Sequence, residues 1–211
     1  MRVMLCCLLL VVLAGCQADP AAAPAVPSAS APAVAPVHAV IVTSQGEIEV
    51  ELYPDKAPRT VANFIALAKQ GFYANVIFHR IANIDGRGVT HVLQGGGFDV
   101  DGRQKASPLG TIPLEIHPAL THVDGALAMA RTSDPNSAGS QFYICDGPHP
   151  FLDDASSRAS GRGPGYAVFG KVVRGMEIVR AIAALPKVNR GGMFTDLTAP
   201  LVVIKEVRVS E

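Results

Sequence analysis

Apolar and polar positions alternate along residues 47–52, where every second side chain is charged. This period of two predicts a strand with one buried face, which consists of Ile48, Val50 and Leu52. The preceding residues 39–43 are mostly β-branched and apolar, and residues 44–46 carry the small and polar side chains of a turn. The two runs therefore predict a hairpin at the start of the folded part of the chain.

Two later segments carry apolar residues at the three- and four-residue spacing of a helix. The first stripe consists of Val61, Phe64, Ile65 and Ala68, and the second of Met176, Val179, Ile182 and Ala183. Pro58 suits the first turn of the earlier helix and Gly71 its end, while Pro186 ends the later one. We therefore predict two helices.

Short apolar runs separated by turn residues predict most of the remaining elements. Strand candidates lie at residues 77–81, 141–145, 166–173 and 201–209, and shorter apolar patches lie at 92–93 and 127–130 in a part of the chain rich in turn residues. Many short strands with only two helices indicate a mainly β protein, and a closed barrel is favoured because closure removes exposed strand edges.

The N-terminus has a different character and predicts a targeting segment. Arg2 precedes an apolar run at residues 3–12, which is too short for a membrane-spanning helix of about 20 residues. Residues 13–16, Leu-Ala-Gly-Cys, resemble the bacterial lipobox. The resemblance implies cleavage before Cys16 and acylation of that cysteine. The alternative is an ordinary secretory signal that is cleaved near the same place.

Three regions follow from this interpretation: a signal peptide at 1–15, a lipidated tether at 16–37 and a folded domain at 38–211. Residues 17–37 are almost entirely Ala, Pro, Val and Ser, and their spaced prolines oppose both helix and sheet. In extended form, at about 3.1 Å per residue, this tether would reach roughly 60–65 Å. Gln17, where inner-membrane lipoproteins carry Asp, favours the periplasmic face of the outer membrane.

Composition and motifs exclude several classes of function. The chain has 18 Lys and Arg against 18 Asp and Glu and no basic run, which argues against nucleic acid as a partner. Its histidines and cysteines show no metal-ligand spacing, and its glycines form no phosphate-binding loop. We expect no metal, no cofactor and a monomer. Cys145 ends an apolar run and is predicted to be a buried, inert thiol.

Six short segments together carry a family resemblance. They read Ala-Pro-Arg-Thr-Val-Ala-Asn-Phe from Ala57, Phe-His-Arg from Phe78, Gln-Gly-Gly from Gln94, Met-Ala-Arg from Met129, Ser-Gln-Phe from Ser140 and Phe-Gly-Lys-Val from Phe169. In order and spacing, residues 39–188 resemble the cyclophilin family. The resemblance implies an eight-stranded antiparallel barrel capped by two α-helices. It also implies peptidyl-prolyl cis-trans isomerisation, with X-Pro-containing polypeptides as substrates.

The implied reaction is a bond rotation that needs no nucleophile. Amide resonance opposes the rotation with a barrier of about 18–20 kcal/mol, so the site must favour the twisted amide over both planar forms. A fixed cation can donate to the prolyl nitrogen in that state. By resemblance Arg80 is the catalytic arginine, and Gln94 is the glutamine that holds the arginine and the substrate backbone.

By the same resemblance a pocket binds the proline and its neighbours. Its implied residues are Phe78, His91, Val92, Met129, Ala130, Arg131, Gln141, Tyr143, Phe151, Leu152 and Tyr166. Arg131 stands where the family usually has Asn. Residues 82–90 are longer than the family's connection, which puts His91 and Val92 where Phe and Met usually line the pocket. Either apolar burial is reduced there, or another residue of the insertion fills the gap.

Three functions follow from this interpretation. The first is an isomerase of the bacterial cell envelope that assists the folding of exported proteins. The second is a non-catalytic module that binds proline-containing peptides, and it is kept open by the altered pocket positions. The third is a structural lipoprotein that tethers another envelope component. Arg80 and Gln94 favour the enzyme.

Overall fold

The computed structural model describes residues 34–86 and 88–210. The predicted signal peptide, the predicted lipidation site at Cys16 and most of the predicted tether lie outside the described residues. The first strand begins at Val37, next to the predicted start of the folded domain at residue 38. Within the described ranges, no helix has the length and apolar character that a membrane span requires.

The elements alternate between strands and a few short helices along the chain. The strands are β1 (Val37–Thr43), β2 (Gly46–Leu52), β3 (Val76–Ala82), β4 (His91–Asp99), β5 (Ala126–Met129), β6 (Phe142–Asp146), β7 (Val168–Arg174), β8 (Lys187–Val188), β9 (Leu197–Thr198) and β10 (Val203–Val209). The helices are α1 (Pro58–Lys69), α2 (Asp154–Ala159) and α3 (Met176–Ala184). Single 3₁₀ turns lie at Pro150–Leu152 and Gly192–Phe194.

Eight antiparallel strands close into a barrel in the order β1, β10, β3, β4, β6, β5, β7, β2. The predicted hairpin is β1 and β2, and Ile41 lies opposite Ile48 in its register. The remaining two strands, β8 and β9, pair with each other beside the barrel. The prediction of a closed eight-stranded barrel is therefore confirmed.

The barrel interior holds the main apolar core. The predicted buried face of β2 is inside, since Ile48, Val50 and Leu52 have 0% of their surface exposed. Helix α1 contributes Phe64 to the same core, where its ring lies edge-on to Phe142 with the ring centres 5.5 Å apart. Burial of such apolar surface at about 25 cal/mol per Å² is the main source of stability.

A second apolar cluster lies on the outer surface of the barrel. Strand β6 supplies both clusters, because successive side chains of a strand point to opposite faces. Phe142 and Ile144 face the interior, while Tyr143 and Cys145 belong to the outer cluster. This double burial explains the unbroken apolar run at residues 142–145 of β6. It also confirms that Cys145 is buried, and burial raises the pKa of its thiol well above the usual range.

The helices differ in number from the prediction. The two predicted stripes form α1 and α3, and Gly71, with φ at 67°, follows the end of α1. The described chain adds a third helix, α2, of six residues. A helix of this length covers fewer than two turns, so it leaves no apolar periodicity in the sequence.

Candidate active site

A register shift between Phe78 and Arg80, in the pairing of β3 with β4, determines where Arg80 points. Phe78 lies opposite Gly95 and Arg80 lies opposite Gln94, so an extra residue of β3 is accommodated between the pairs. Such a bulge bends the strand and reverses the expected alternation. Phe78 is consequently buried in the barrel interior, whereas the Arg80 side chain leaves the outer surface with 35% of its area exposed.

Arg80 stands at the rim of a cavity of about 700 Å³ on the outer surface of the barrel. The floor of this cavity, which we call the apolar floor, consists of Val92, Ala130, Tyr143 and Leu152 from the outer cluster. An apolar floor beside a polar rim with a cation is the arrangement that small organic groups require for binding. Predicted site residues that line the cavity are Arg80, Val92, Gln94, Ala130, Arg131, Tyr143, Phe151, Leu152 and Tyr166.

The Arg80 guanidinium has a single acidic neighbour among the described residues. Its Nε lies 3.8 Å from Oδ2 of Asp196, and the backbone N–H of Ile81 donates to the carbonyl oxygen of Asp196 at 2.9 Å. Strand β3 therefore holds the segment that carries this carboxylate. The side-chain amide of Gln94 donates to Oε1 of Gln141 at 3.0 Å, which fixes its orientation beside Arg80.

Tyr143 places an aromatic ring on the apolar floor, and its hydroxyl forms a hydrogen bond with a buried histidine. The hydroxyl lies 2.8 Å from Nε2 of His122, whose Nδ1 lies 2.7 Å from Oδ1 of Asp153. Burial lowers the pKa of His122, although the hydrogen bond with Asp153 opposes the shift. In the neutral ring, Nδ1–H donates to Asp153 and Nε2 accepts from the Tyr143 hydroxyl. The tyrosine therefore presents its ring, and not a free hydroxyl, to the cavity.

Arg131 holds a loop that lines the cavity by hydrogen bonds to its backbone. Its guanidinium donates to the carbonyl oxygens of Pro164 and Gly165, the latter at 3.0 Å, and lies 4.5 Å from the centre of the Tyr166 ring. These contacts join the end of β5 to the loop of residues 160–165, which we call the wall loop. The arginine thus has a structural role at a position where the family usually has Asn.

The insertion at residues 82–90 supplies an apolar side chain to the site. Ile84 packs against the outer cluster and lines the cavity. The side-chain amide of Asn83 donates to the carbonyl oxygen of Thr90 at 2.6 Å and closes the loop. Ile84 is therefore the residue of the insertion that would fill the gap in the second of the two alternatives left open by the sequence.

Three predicted substrate contacts lie away from the cavity and require correction. Phe78 and Met129 are buried in the barrel interior, with 0% and 1% exposed, so a substrate in the cavity does not touch them. His91 precedes Val92 on β4 and points the other way, with Nδ1 3.5 Å from Oδ2 of Asp146. Strand alternation and the bulge in β3 explain all three positions.

Gln141 lines a second cavity of about 340 Å³ next to the first. The residues common to both cavities are Gln94, Ala130, Arg131, Thr132 and Met193. Met193 belongs to the segment at 189–200, whose position the sequence leaves open. The sequence carries no signal for His122, Asp153 and Asp196, because isolated polar residues in loops show no periodic pattern.

A family model described as cyclophilin type peptidyl-prolyl cis-trans isomerase matches residues 38–209 of the chain. The chain belongs to the cyclophilin family. Peptidyl-prolyl cis-trans isomerase B of Escherichia coli is 41% identical over 169 residues, which cover 80% of this chain and 97% of that protein. A peptidyl-prolyl cis-trans isomerase of Acinetobacter baylyi is 41% identical over 180 residues, which cover 85% of this chain and 89% of that protein.

Solved structures agree with the assignment of the cyclophilin fold. A cyclophilin type peptidyl-prolyl cis-trans isomerase of Cryptosporidium parvum has a TM-score of 0.62 at 26% identity, covering 84% of this chain and 99% of that one. The same protein crystallised in the presence of the dipeptide Ala-Pro has a TM-score of 0.60 at 26% identity, with 82% and 99% covered. This cyclophilin is an enzyme, a peptidyl-prolyl cis-trans isomerase, as the sequence predicted.

Proposed function

We propose that this cyclophilin binds X-Pro-containing polypeptides with the proline ring on the apolar floor and Arg80 directed at the prolyl nitrogen. The observation that carries the proposal is the position of Arg80 at the rim of that floor, where the bulge in β3 directs it away from the barrel interior. The crystallisation of the Cryptosporidium isomerase in the presence of the dipeptide Ala-Pro supports a substrate of this kind.

The chemistry of the rotation explains why a guanidinium is suitable. As the amide twists, its resonance is lost and the prolyl nitrogen regains a lone pair that accepts a hydrogen bond. A donor that meets this lone pair is most effective in the transition state, because planar amides offer no such acceptor. Arginine keeps its charge at any physiological pH and presents donors in a rigid plane.

The neighbours of Arg80 support this role. Asp196 approaches the guanidinium at Nε, 3.8 Å away, which leaves the terminal amino groups for a substrate. Gln94 lies opposite Arg80 in the strand register and is held by Gln141. A cation that is oriented before the substrate arrives loses little rotational freedom on binding.

We also propose that the enzyme assists the folding of exported proteins from a lipid anchor on Cys16. The support is the sequence of residues 1–16, with its apolar run and its lipobox resemblance. The Ala- and Pro-rich residues 17–37 would hold the isomerase away from the lipid surface. We assign it to the bacterial cell envelope, at the periplasmic face of the outer membrane, as a monomer.

The test of the proposed mechanism is the isomerisation rate of a short X-Pro peptide with the wild-type protein, Arg80→Ala and Arg80→Lys. We expect kcat/KM to fall by about 100-fold in Arg80→Ala, as for other single transition-state donors, and by less in Arg80→Lys. Arg174→Ala is the control, because Arg174 is exposed on β7 and does not line the cavity. Full activity of Arg80→Ala would contradict the mechanism. Peptide binding by the wild type without any acceleration would favour the non-catalytic module.

A further inference from the structure

The cavity that contains the apolar floor carries an uneven charge. Three guanidinium groups line it, those of Arg80, Arg131 and Arg162. No aspartate or glutamate belongs to the described residues of its lining. A cleft lined by one sign of charge concentrates its field and attracts groups of the opposite charge.

The charges of these arginines are compensated to different degrees. Arg80 has Asp196 beside it. Arg131 donates to backbone carbonyl oxygens of Thr132, Pro164 and Gly165, which satisfy its hydrogen bonds but carry no net charge. The positive charge of Arg131 therefore persists in the wall of the cavity.

Arg162 is the least compensated of the three. It is an exposed residue of the wall loop, and its backbone N–H donates to the carbonyl oxygen of Ser157 at 3.0 Å. Its guanidinium lies 5.6 Å from the centre of the Phe151 ring. Across residues 34–86 and 88–210, no carboxylate forms an ion pair with it. The closest acidic candidate in sequence, Asp154, is bound to Arg158 and to the backbone N–H of Gly165.

We infer that this cavity contains a subsite for an acidic side chain of the substrate, with Arg162 as the residue that binds its carboxylate. The inference rests on the proposed function, in which the proline ring occupies the apolar floor. Phe151 and Leu152 are consecutive, so the guanidinium above Phe151 is adjacent to that floor. An extended peptide advances about 3.3–3.6 Å per residue, so a Glu or Asp one or two residues from the proline reaches the cavity mouth.

The chemistry of Arg162 favours a carboxylate over other groups. A guanidinium presents paired N–H donors that match the two oxygens of a carboxylate. The aromatic face of Phe151 limits the orientations of the guanidinium plane. Because Arg162 is exposed, its ion pair with a substrate is of the weak surface class, which corresponds to a preference of about two- to fivefold.

The experiment compares peptides that differ in one residue next to an Ala-Pro sequence. Glu, Gln or Lys is placed one or two residues before the proline, or one or two residues after it, and kcat/KM is measured with the full-length protein. At one or more of these positions, we expect Glu to exceed Gln by about two- to fivefold and Lys to fall below Gln. The ratio of Glu to Gln falls towards one in high salt, because salt screens exposed charges.

Two variants and a control assign the preference to Arg162. In Arg162→Gln the Glu-to-Gln ratio drops to about one, and in Arg162→Glu the Lys peptide becomes the preferred one. Arg174→Glu changes the total charge of the protein equally, outside the cavity, and keeps the wild-type preference for Glu. A purely structural role of Arg162 would not reverse the preference.

Equal rates for Glu and Gln at every position in an active wild-type enzyme would overturn the subsite. A Glu preference that survives in Arg162→Glu would overturn the assignment to Arg162. Failure of the proposed function has a different signature, since it appears as full activity of Arg80→Ala whichever peptide is used.

Discussion

His79 shows how a single buried residue couples the stability of the fold to pH. It lies between Phe78 and Arg80 at the bulge of β3, is fully buried, and packs edge-on to Phe98 with ring centres 4.8 Å apart. Burial lowers its pKa from 6.5 to about 4, because the charged imidazolium loses its hydration. In the folded protein His79 is therefore neutral at any pH above about 5.

This depressed pKa predicts a loss of stability in mild acid. The unfolded chain binds a proton at His79 near pH 6.5, whereas the folded chain does so only near pH 4. As the pH falls below 6.5, protonation thus favours the unfolded state. Linkage gives a loss of about 2 kcal/mol in the free energy of unfolding between pH 7 and pH 5. Urea unfolding at pH 7 and at pH 5 measures this change in the free energy of unfolding.

Variants at two histidines separate this effect from other titrations. His79→Leu is expected to lose most of the pH dependence, and His122, whose pKa burial also lowers, accounts for the part that remains. His38→Leu, which replaces an exposed histidine of β1, is the control. An unchanged pH dependence in His79→Leu would show that another group is responsible.

At the scale of elements, helix α1 is capped from a distant part of the chain. Ala57 at its N-terminus offers no side-chain hydrogen bond. The Glu115 carboxylate accepts instead from the backbone N–H groups of Arg59 at 3.1 Å and Thr60 at 2.7 Å, and from the Thr60 hydroxyl at 2.7 Å. An anion at this end of a helix also interacts favourably with the positive end of the helix dipole.

Removal of this cap predicts a measurable destabilisation. Glu115→Ala is expected to lower the free energy of unfolding by about 1–2 kcal/mol, since it leaves helix donors unsatisfied. Glu115→Gln keeps an acceptor oxygen without the charge and is expected to lose less. Denaturant unfolding measures both variants. Equal stability of Glu115→Ala and the wild type would show that water replaces the carboxylate without cost.

The insertion between β3 and β4 offers a matched pair of apolar residues. Ile84 lines the cavity, while Val89 in the same loop has 76% of its surface exposed. Ile84→Ala removes part of the apolar surface of the cavity in which we propose that the proline binds, and it is expected to lower kcat/KM about fivefold. Val89→Ala is expected to have wild-type activity. If both variants have the wild-type rate, the insertion does not complete the pocket.

The elements differ in how well the sequence predicts them. Residues with a strong local period, as in β2 and α1, are predicted because burial of one face determines both the pattern and the structure. Arg80 and Gln94 are predicted through their motifs. The inward position of Phe78 is not predicted, because the bulge in β3 places the side chains of Phe78 and Arg80 on opposite faces of the strand. Met193 and Asp196 reach the site through tertiary packing of the last loop, which leaves no local pattern.

For the whole molecule, the proposed anchor on Cys16 makes a prediction that is independent of the isomerase site. Wild-type protein from bacterial cells is expected to partition into a detergent phase and to carry acyl chains at its N-terminus. Cys16→Ser lacks the thiol that is acylated, so we expect it in the aqueous phase. The isomerisation rate on a short peptide is expected to be the same for both. Identical aqueous partition of both proteins would favour the ordinary secretory signal.

The central claim is that Arg80 stabilises the twisted amide more than it stabilises the bound planar peptide. Exchange NMR of an X-Pro peptide measures both the affinity and the cis-trans exchange rate on the enzyme in a single sample. For Arg80→Ala, we predict an affinity within about threefold of the wild type and an exchange rate lower by about 100-fold. A variant that loses affinity but keeps its exchange rate when saturated would contradict the claim, since Arg80 would then only bind the substrate.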